Sequence, residues 1–153
     1  MAKKSDQVAA NRKARFEYDI LDRFEAGLVL TGSEVKSVRE HKVSLSDSYA
    51  RLQSGELYLI NLDIAPYERA GYAQHEPRRP RKLLLHRKQL RRIAVKLEQR
   101  GLTMVPLAMY FSDSGWAKVT LGLARGRQLH DKRRVIRERE EKRDMARESR
   151  AFR

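Results

Sequence analysis

The last thirty residues constrain the fold most, because they offer almost nothing to a hydrophobic core. Residues 124–153 contain twelve Lys or Arg and six Asp or Glu, with few large apolar side chains. In a helix, Ile136 would be followed at i+3, i+4 and i+7 by charged residues, so no apolar stripe forms. Arg, Glu, Lys, Met and Ala nevertheless favour a helix, and pairs such as Arg134 with Glu138 support it. We therefore expect a tail that orders on a polyanion, and a folded body built from the residues before it.

The body is basic as well, which indicates the chemistry of a partner. The 153 residues hold 34 Lys and Arg against 20 Asp and Glu, for a net charge of +14. Residues 131–153 carry +4 of this charge and residues 1–130 carry +10. A nucleic-acid partner fits such a charge, since neutralising phosphates supplies affinity. A membrane surface fits less well, because no basic amphipathic stretch offers a Trp, Phe or Leu face.

Several classes of protein are disfavoured by what the sequence lacks. There is no cysteine, which excludes disulfides and thiol catalysis and fits a reducing compartment. The basic N-terminus does not resemble a signal peptide and no apolar run has the length of a membrane span, so a soluble cytoplasmic protein is expected. The four histidines are scattered, so the sequence predicts neither a metal site nor a cofactor.

Three carboxylates are the only hint of an enzyme. Glu25, Glu34 and Asp47 could together hold Mg²⁺, as the carboxylates of a nuclease do. In a basic protein, however, acidic side chains are expected to balance neighbouring Arg and Lys. No phosphate-binding Gly-rich loop or nucleophile elbow is present. The sequence therefore predicts no catalytic residue, and a nuclease remains an alternative that Mg²⁺-dependent cleavage would reveal.

The first part of the body reads as a strand followed by a short helix. Residues 16–21 alternate apolar and polar, and residues 24–30 continue the strand, with a bulge or bend expected at Gly27. Thr31 or Ser33 is then suited to cap a short helix.

The rest of the body contains a hairpin, a long loop, a helix and two more strands. Ser54-Gly55 is a strong hairpin signal between its flanking strands. Pro106 lies within a later strand and favours a sheet edge or a bulge there. The predicted elements are strands at 48–53, 56–64, 103–111 and 116–124, a loop at 65–80 and a helix at 86–100. Five or six short strands with a helix between the third and fourth favour a small closed or partly closed barrel.

Basic residues gather in four separate clusters. Any one of them is most simply a solvated face, but four together, with aromatics such as Tyr67, Tyr72, Phe111 and Trp116 available for stacking, favour RNA or single-stranded binding. The clusters are 11–15, 78–82, 87–92 and 125–134.

Many short motifs, in order, run from about residue 11 to the end. They include Asn11-Arg-Lys-Ala-Arg15, Phe24-Glu25-Ala26-Gly27-Leu28, Gly32-Ser33-Glu34-Val35-Lys36-Ser37, Ser46-Asp47-Ser48-Tyr49, Arg81-Lys82-Leu83-Leu84-Leu85-His86, Gly115-Trp116-Ala117-Lys118-Val119, Gly122-Leu123-Ala124-Arg125-Gly126 and His130-Asp131-Lys132-Arg133. With these motifs the chain closely resembles the bacterial tmRNA-binding protein family, SmpB.

The resemblance implies an architecture and a function. The fold would be mainly β with flanking helices, an OB-fold-type antiparallel β-barrel with a basic C-terminal tail that becomes helical on the ribosome. Residues 1–10 would be a loose leader, 11–130 the RNA-binding body and 131–153 the tail. The family binds the tRNA-like domain of tmRNA and delivers it to bacterial 70S ribosomes stalled without a stop codon, which is trans-translation. The protein would be a non-enzymatic, monomeric body, one copy for each tmRNA.

The resemblance also assigns RNA-binding residues. Glu25 is unusual among them, because a carboxylate on an RNA face must accept from base amino or ribose hydroxyl groups, or orient a neighbouring Arg. The residues expected to bind tmRNA are Asn11, Arg12, Lys13, Arg15, Glu25, Lys82, Leu84, Lys118, Arg125 and Arg127.

The tail would have two parts. His130, Asp131, Lys132 and Arg133 would enter the decoding centre of the 16S rRNA. The segment that follows would be helical in the empty mRNA channel, where phosphate contacts offset its ordering entropy. Its expected contacts are Arg137, Arg139, Lys142 and Arg143. The alternative is a general basic RNA-binding or ribosomal protein, which would hold a stable place in ribosomal subunits without tmRNA.

Overall fold

The computed structural model describes residues 7–126 and 129–151, which form strands and flanking helices. A short 3₁₀ turn at Gly71–Ala73 interrupts the long loop over residues 65–80. In chain order the elements are β1 (Gln7–Ala10), α1 (Arg12–Glu17), β2 (Tyr18–Leu28), α2 (Gly32–Arg39), β3 (Val43–Ser44), β4 (Tyr49–Gln53), β5 (Glu56–Ile60), β6 (Asp63–Ile64), β7 (Arg81–Leu84), α3 (Arg87–Leu97), β8 (Leu102–Phe111), β9 (Ala117–Gly126) and α4 (Leu129–Ala151).

Most strands belong to one antiparallel sheet. Its order is β1-β8-β4-β5-β7-β2-β9, and β9 pairs with β8 as well as with β2. Strands β3 and β6 form a separate two-stranded sheet. The described part of the chain therefore has more strands than the five or six that the sequence predicted. The prediction of a mainly β protein with flanking helices is confirmed.

One apolar core lies between the sheet and the helices α2 and α3. Leu57, Leu59 and Leu121 are fully buried in it, and Val38 of α2 and Ile93 of α3 join them. Burying a Leu or Ile side chain contributes about 1.5–3 kcal/mol relative to leaving it exposed. The core therefore fixes both helices against the sheet.

A smaller apolar cluster fixes α1 to β8 and β9. It consists of Ala14, Val105, Leu107 and Ala124, each of which is buried. Residues 16–21 were predicted to be strand, but α1 continues to Glu17. The reason is that the Asn11 side chain accepts a hydrogen bond from the Ala14 N–H and begins a helix of good helix formers.

The leader predicted over residues 1–10 is wrong for its last four residues. Gln7–Ala10 form β1, which pairs with β8 in register with Tyr110, Met109 and Ala108. This pairing provides hydrogen-bond partners for backbone N–H and C=O groups of β8 that would otherwise lack them. Residues 1–6 lie outside the described residues.

Two irregularities bend the long strands. The bulge expected at Gly27 is absent there, since Gly27 pairs regularly with Lys118 on β9 and with Leu84 on β7. The register of β2 shifts instead between Ile20 and Asp22. The bulge expected at Pro106 is confirmed, because the β8–β9 register shifts between Pro106 and Ala108.

The predicted turns and helices are otherwise confirmed, with some boundary changes. Ser54 and Gly55 both have positive φ, at 52° and 78°, as the tight β4–β5 hairpin turn requires. Thr31 is the N-cap of α2, and its N–H donates to Glu34 Oε1 at 2.9 Å. Helix α3 ends at Leu97, three residues before the predicted end.

Helix α4 follows β9 in the chain and contacts α1. Its described side chains, at 133, 134 and 136–150, are exposed, including Ile136 and Met145. Because α4 has no apolar stripe, these side chains do not pack into a core, as expected. None of the described helices is long and apolar enough to cross a membrane.

Candidate nucleic-acid interface

Three strands bring predicted RNA-binding residues together on the outside of the sheet. Gly27 of β2 lies between Leu84 on β7 and Lys118 on β9. Glu25 is two residues before Gly27 and therefore points to the same side. These side chains, with His86 and Gln89, line a shallow cavity of about 300 Å³. We call the surface formed by Glu25, Leu84, His86, Gln89 and Lys118 the Glu25 face.

Gly27 leaves the centre of the Glu25 face without a side chain. A Cβ atom built at this position would lie 3.4 Å from Leu84 Cβ, in contact with the exposed leucine. Leu84 is 52% exposed although its neighbour Leu83 is buried. The face thus offers an apolar surface for a base or ribose beside the Lys118 ammonium group.

A buried tyrosine, Tyr110, lies beside the Glu25 carboxylate. Burial raises the pKa of Tyr110 to about 12, and a hydrogen bond from its phenol to Glu25 acts in the same direction. A hydrogen bond with the Thr120 hydroxyl opposes these effects. The phenol therefore stays protonated at neutral pH and donates to Glu25. Beyond this interaction, the Glu25 carboxyl oxygens keep acceptor capacity for a ligand.

A second group of predicted residues lies at the other end of β9. Arg12 and Arg15 are exposed on α1, and Arg125 pairs across the ladder with Asp19. Lys118 and Arg125 are separated by most of β9, roughly 23 Å at about 3.3 Å per residue. The predicted tmRNA-binding residues therefore form two groups at opposite ends of one strand pair.

Lys13 belongs to the second group but already has partners. Its ammonium nitrogen lies 2.8 Å from Asp47 Oδ1 and 3.9 Å from Glu17 Oε1. The hydrogen bond with Asp47 raises the pKa of Lys13 and lowers the pKa of Asp47. An RNA phosphate would have to compete with these carboxylates for Lys13.

Asn11 is buried, with 5% of its surface exposed. Its amide nitrogen donates to Pro106 O at 2.9 Å and to Leu45 O at 3.3 Å, and its oxygen accepts from the Ala14 N–H at 3.1 Å. These bonds fix the start of α1, so Asn11 positions the exposed Arg12. Direct contact of Asn11 with RNA stays a prediction.

The three carboxylates considered for Mg²⁺ lie in separate environments. Glu34 is buried against Arg79 and Arg81, Asp47 bonds Lys13, and Glu25 accepts from Tyr110. Among the described residues, no group of three or more His, Cys, Asp or Glu is placed to hold a metal ion. The expected pairing of these acids with basic neighbours is confirmed for Glu34 and Asp47.

Comparison with known proteins decides the family. The family model for SmpB protein matches residues 8–151, nearly the whole chain. The chain belongs to the SmpB family. The resemblance seen in the short motifs is thereby confirmed.

Relatives of the SmpB family agree over most of the chain. A protein of Gloeothece citriformis named SsrA-binding protein is 53% identical over 145 residues, covering 94% of this chain and 93% of the relative. An SsrA-binding protein of Thermus thermophilus is 58% identical over 127 residues, covering 83% and 88%. A solved chain described as "tmRNA-SmpB: a journey to the center of the bacterial ribosome" is 57% identical with a TM-score of 0.67, covering 79% of this chain and 85% of that chain.

The remaining predicted residues lie outside both groups or outside the described part of the chain. Lys82 is partly exposed on β7, with its ammonium 3.8 Å from Glu56 Oε2. Arg127 lies outside the described residues. His130, Asp131 and Lys132 lie within α4, but their side chains are not among those described. Exposed side chains on α4 include Arg133, Arg137, Arg139, Lys142 and Arg143.

The structure adds residues to the site that sequence reasoning missed. Tyr110 lies beside Glu25 and interacts with Thr120, and His86 and Gln89 line the cavity next to Glu25. His86 was visible within a motif, but Tyr110 lies two strands away from Glu25 in the sheet. Only the strand register brings the phenol to the carboxylate, so no local sequence signal indicates the contact.

Proposed function

We propose that this protein binds the tRNA-like domain of tmRNA and delivers it to bacterial ribosomes stalled without a stop codon. The match of an SmpB family model to residues 8–151 carries this proposal. Relatives named SsrA-binding protein, at more than half identity, support it. The protein acts by binding and not by catalysis, and its place of work is the cytoplasm.

The Glu25 face is the proposed contact with the tRNA-like domain. Lys118 neutralises a phosphate, and Leu84 packs on a ribose or an unstacked base. Glu25, held by Tyr110, accepts from a base amino or ribose hydroxyl group. A carboxylate among cations gives selectivity, because it repels any phosphate that arrives in the wrong register.

The second group of residues, around α1, and the tail are the proposed contacts with the ribosome and with the part of the RNA that does not reach the Glu25 face. Arg12 and Arg15 lie on α1, which α4 contacts, so the tail starts from the same end of the sheet. Residues 130–133 enter the decoding centre, and the exposed basic helix after them lies in the empty mRNA channel. When mRNA occupies that channel, the helix cannot make these phosphate contacts.

We also infer that the sheet is a barrel of the OB type. Neighbouring strands are paired in the order β8, β4, β5, β7, β2 and β9. The additional β8–β9 pairing then joins the first of these strands to the last. A ring of antiparallel strands leaves no open edge among its members. The outer surface of such a barrel is a platform for nucleic acid.

Binding to RNA tests the proposal directly. In a gel shift, the full chain should bind the tRNA-like domain of tmRNA at least tenfold more tightly than random RNA of the same length at moderate salt. Lys118→Gln should weaken binding of the tRNA-like domain, because a phosphate contact is lost. Equal affinity for both RNAs would sink the proposal and favour a general RNA-binding protein.

Deleting residues 131–153 tests the role of the tail. The shortened protein should bind the tRNA-like domain as the full chain does, yet fail to support peptide tagging on ribosomes that have reached the end of a truncated mRNA. Loss of RNA binding together with tagging would show that the body and the tail are not separate in function.

A further inference from the structure

A groove beside the Glu25 face lies between α3, β7 and the β4–β5 hairpin. Its volume is about 680 Å³, which is within the range of ligand pockets. Leucines such as Leu52, Leu85 and Leu90 form an apolar floor. Arg87 and Arg91, one turn apart on α3, form one wall. We call this the α3 groove.

The α3 groove has a net positive wall. Glu56 is its acidic member, and it lies 3.8 Å from the ammonium of Lys82 across the hairpin. Within residues 7–126 and 129–151 the structure gives neither Arg87 nor Arg91 an ion-pair partner. Helix α3 also has no acidic residue in its first turn, where helices favour negative charge. The groove is thus complementary to an anion with apolar parts.

The α3 groove is continuous with the Glu25 face. Leu84 and Leu85 line both cavities. The first turn of α3 divides its side chains between them, since Gln89 faces one cavity and Arg87 the other. An RNA strand that lies on the Glu25 face can therefore continue directly into the α3 groove.

We propose that the α3 groove holds nucleotides of the same RNA that contacts the Glu25 face. A base or ribose rests on the leucine floor, and Arg87 and Arg91 contact the flanking phosphates. This inference rests on the proposed function. An apolar protein segment is the rival occupant, but it would leave the two arginines without counter-charges beside it.

Helix α3 provides its own control for the test. Lys88 and Arg92 are exposed, one turn apart like Arg87 and Arg91, but they do not line the groove. The double variant R87E/R91E and the control K88E/R92E therefore change net charge equally, and both keep the helix. If glutamates impair folding, R87Q/R91Q and K88Q/R92Q give the same comparison with smaller charge changes.

The readouts are affinity for the tRNA-like domain and its backbone-cleavage footprint, both with the full chain. We expect R87E/R91E to weaken binding at least tenfold more than K88E/R92E and to lose protection at a set of nucleotides that the control still protects. Nucleotides protected through the Glu25 face, defined by Lys118→Gln, should stay protected in R87E/R91E at saturating protein.

Two results would overturn the inference while leaving the proposed function intact. Equal weakening by both double variants, with unchanged footprints, would mean that the arginines act only through overall charge. Unchanged RNA binding by R87E/R91E together with lost ribosome engagement would assign the groove to a contact with the ribosome and not with the tRNA-like domain. Failure of the unmodified chain to prefer the tRNA-like domain would instead refute the proposed function itself.

Discussion

Glu34 shows how a single buried carboxylate can hold several segments of the chain. It is fully buried, and it accepts from Arg79, from Arg81 and from the Thr31 N–H. Arg81, also fully buried, donates in addition to Leu62 O and to Pro77 O at 3.0 Å. One ion cluster therefore joins α2, the end of β5 and the loop before β7. The same loop leads into the strand that carries Leu84.

Burial and pairing oppose each other at this cluster. Burial raises the pKa of Glu34, but the bonds from Arg79, Thr31 and Arg81 outweigh it, so the net pKa is lowered. Burial also lowers the pKa of Arg81, and Glu34 opposes that change. The net pKa is lowered at both partners, because pairing outweighs burial at Glu34 and burial outweighs pairing at Arg81. A guanidinium remains charged in proteins, so the pair is ionic at neutral pH.

We expect Glu34→Gln to lower the free energy of unfolding by about 3 kcal/mol, because two buried or half-buried guanidinium groups lose their counter-charge. Urea denaturation at neutral pH would measure the change. Glu40→Gln is the matched control at the opposite end of the same helix, where an exposed pair with Lys42 at 3.1 Å contributes little. Equal loss in both variants would contradict the role given to the cluster.

The same substitution should change the pH dependence of stability. A folded-state pKa below the ordinary value of 4.5 means that Glu34 stabilises the fold fully above that pH and progressively less as the pH falls through the folded pKa. The unmodified protein should therefore lose stability on acidification below about 4.5 more steeply than Glu34→Gln does. Parallel curves for the two proteins would show that Glu34 does not carry this contribution.

Tyr110 tests whether the orientation of Glu25 matters. Tyr110→Phe keeps the ring in the sheet but removes the phenol that donates to Glu25. We expect the affinity for the tRNA-like domain to fall about tenfold, which corresponds to about 1.4 kcal/mol. Tyr72→Phe removes a phenol from a fully exposed side chain and should have no effect. Unchanged affinity for Tyr110→Phe, measured by the same titration, would mean that Glu25 needs no positioning.

Among the elements, α4 differs most from the rest of the fold. It is 23 residues long, yet its described side chains are exposed and its length rests on propensity and i,i+4 pairs such as Arg134 with Glu138 at 3.9 Å. Isolated helices without a packed face are marginal in water. The strands of the sheet, by contrast, bury one face in the core.

Hydrogen exchange should separate these elements. In the free protein, amides of residues 137–150 should exchange at least a hundredfold faster than those of β8 and β9, because α4 opens without uncovering a core. On ribosomes with an empty mRNA channel the same amides should become protected. Strong protection of α4 in the free protein would contradict its conditional role.

At the scale of the whole molecule, charge is spread over both ends. The net charge is +14, of which residues 131–153 supply +4. Lys118 on the Glu25 face and Arg125 at the other end of β9 lie roughly 23 Å apart, at about 3.3 Å per residue of a strand. A body of this kind can contact one RNA at one end while its tail extends from the other.

The salt dependence of binding tests this separation. For the tRNA-like domain, the slope of log K against log salt concentration should be the same for the full chain and for the chain without residues 131–153. Lys118→Gln should reduce that slope by about one unit, as the loss of one phosphate contact does. A slope several units smaller for the shortened chain would show that the tail binds this RNA.

The sequence by itself determined most of the strands and helices of the described residues. The hairpin at Ser54-Gly55, the bulge at Pro106 and the exposed helical tail follow from local chemistry: positive φ, a missing N–H and an absent apolar stripe. The motifs also placed Glu25, Leu84 and Lys118 in one set. Local rules were enough for the turn, the bulge and the tail, because each of these depends on residues close together in the chain, whereas the set of three residues came from the family resemblance.

Only the tertiary structure decided which of these residues meet. The sequence placed Asn11 and Arg125 with Glu25 in a single set, yet Asn11 is buried under α1 and Arg125 lies at the far end of β9. Likewise, Tyr110 reaches Glu25 only through the pairing of three strands. Register and burial depend on the whole sheet, because side-chain alternation is the same in every possible pairing. The Glu25 face and the α3 groove exist for that reason alone.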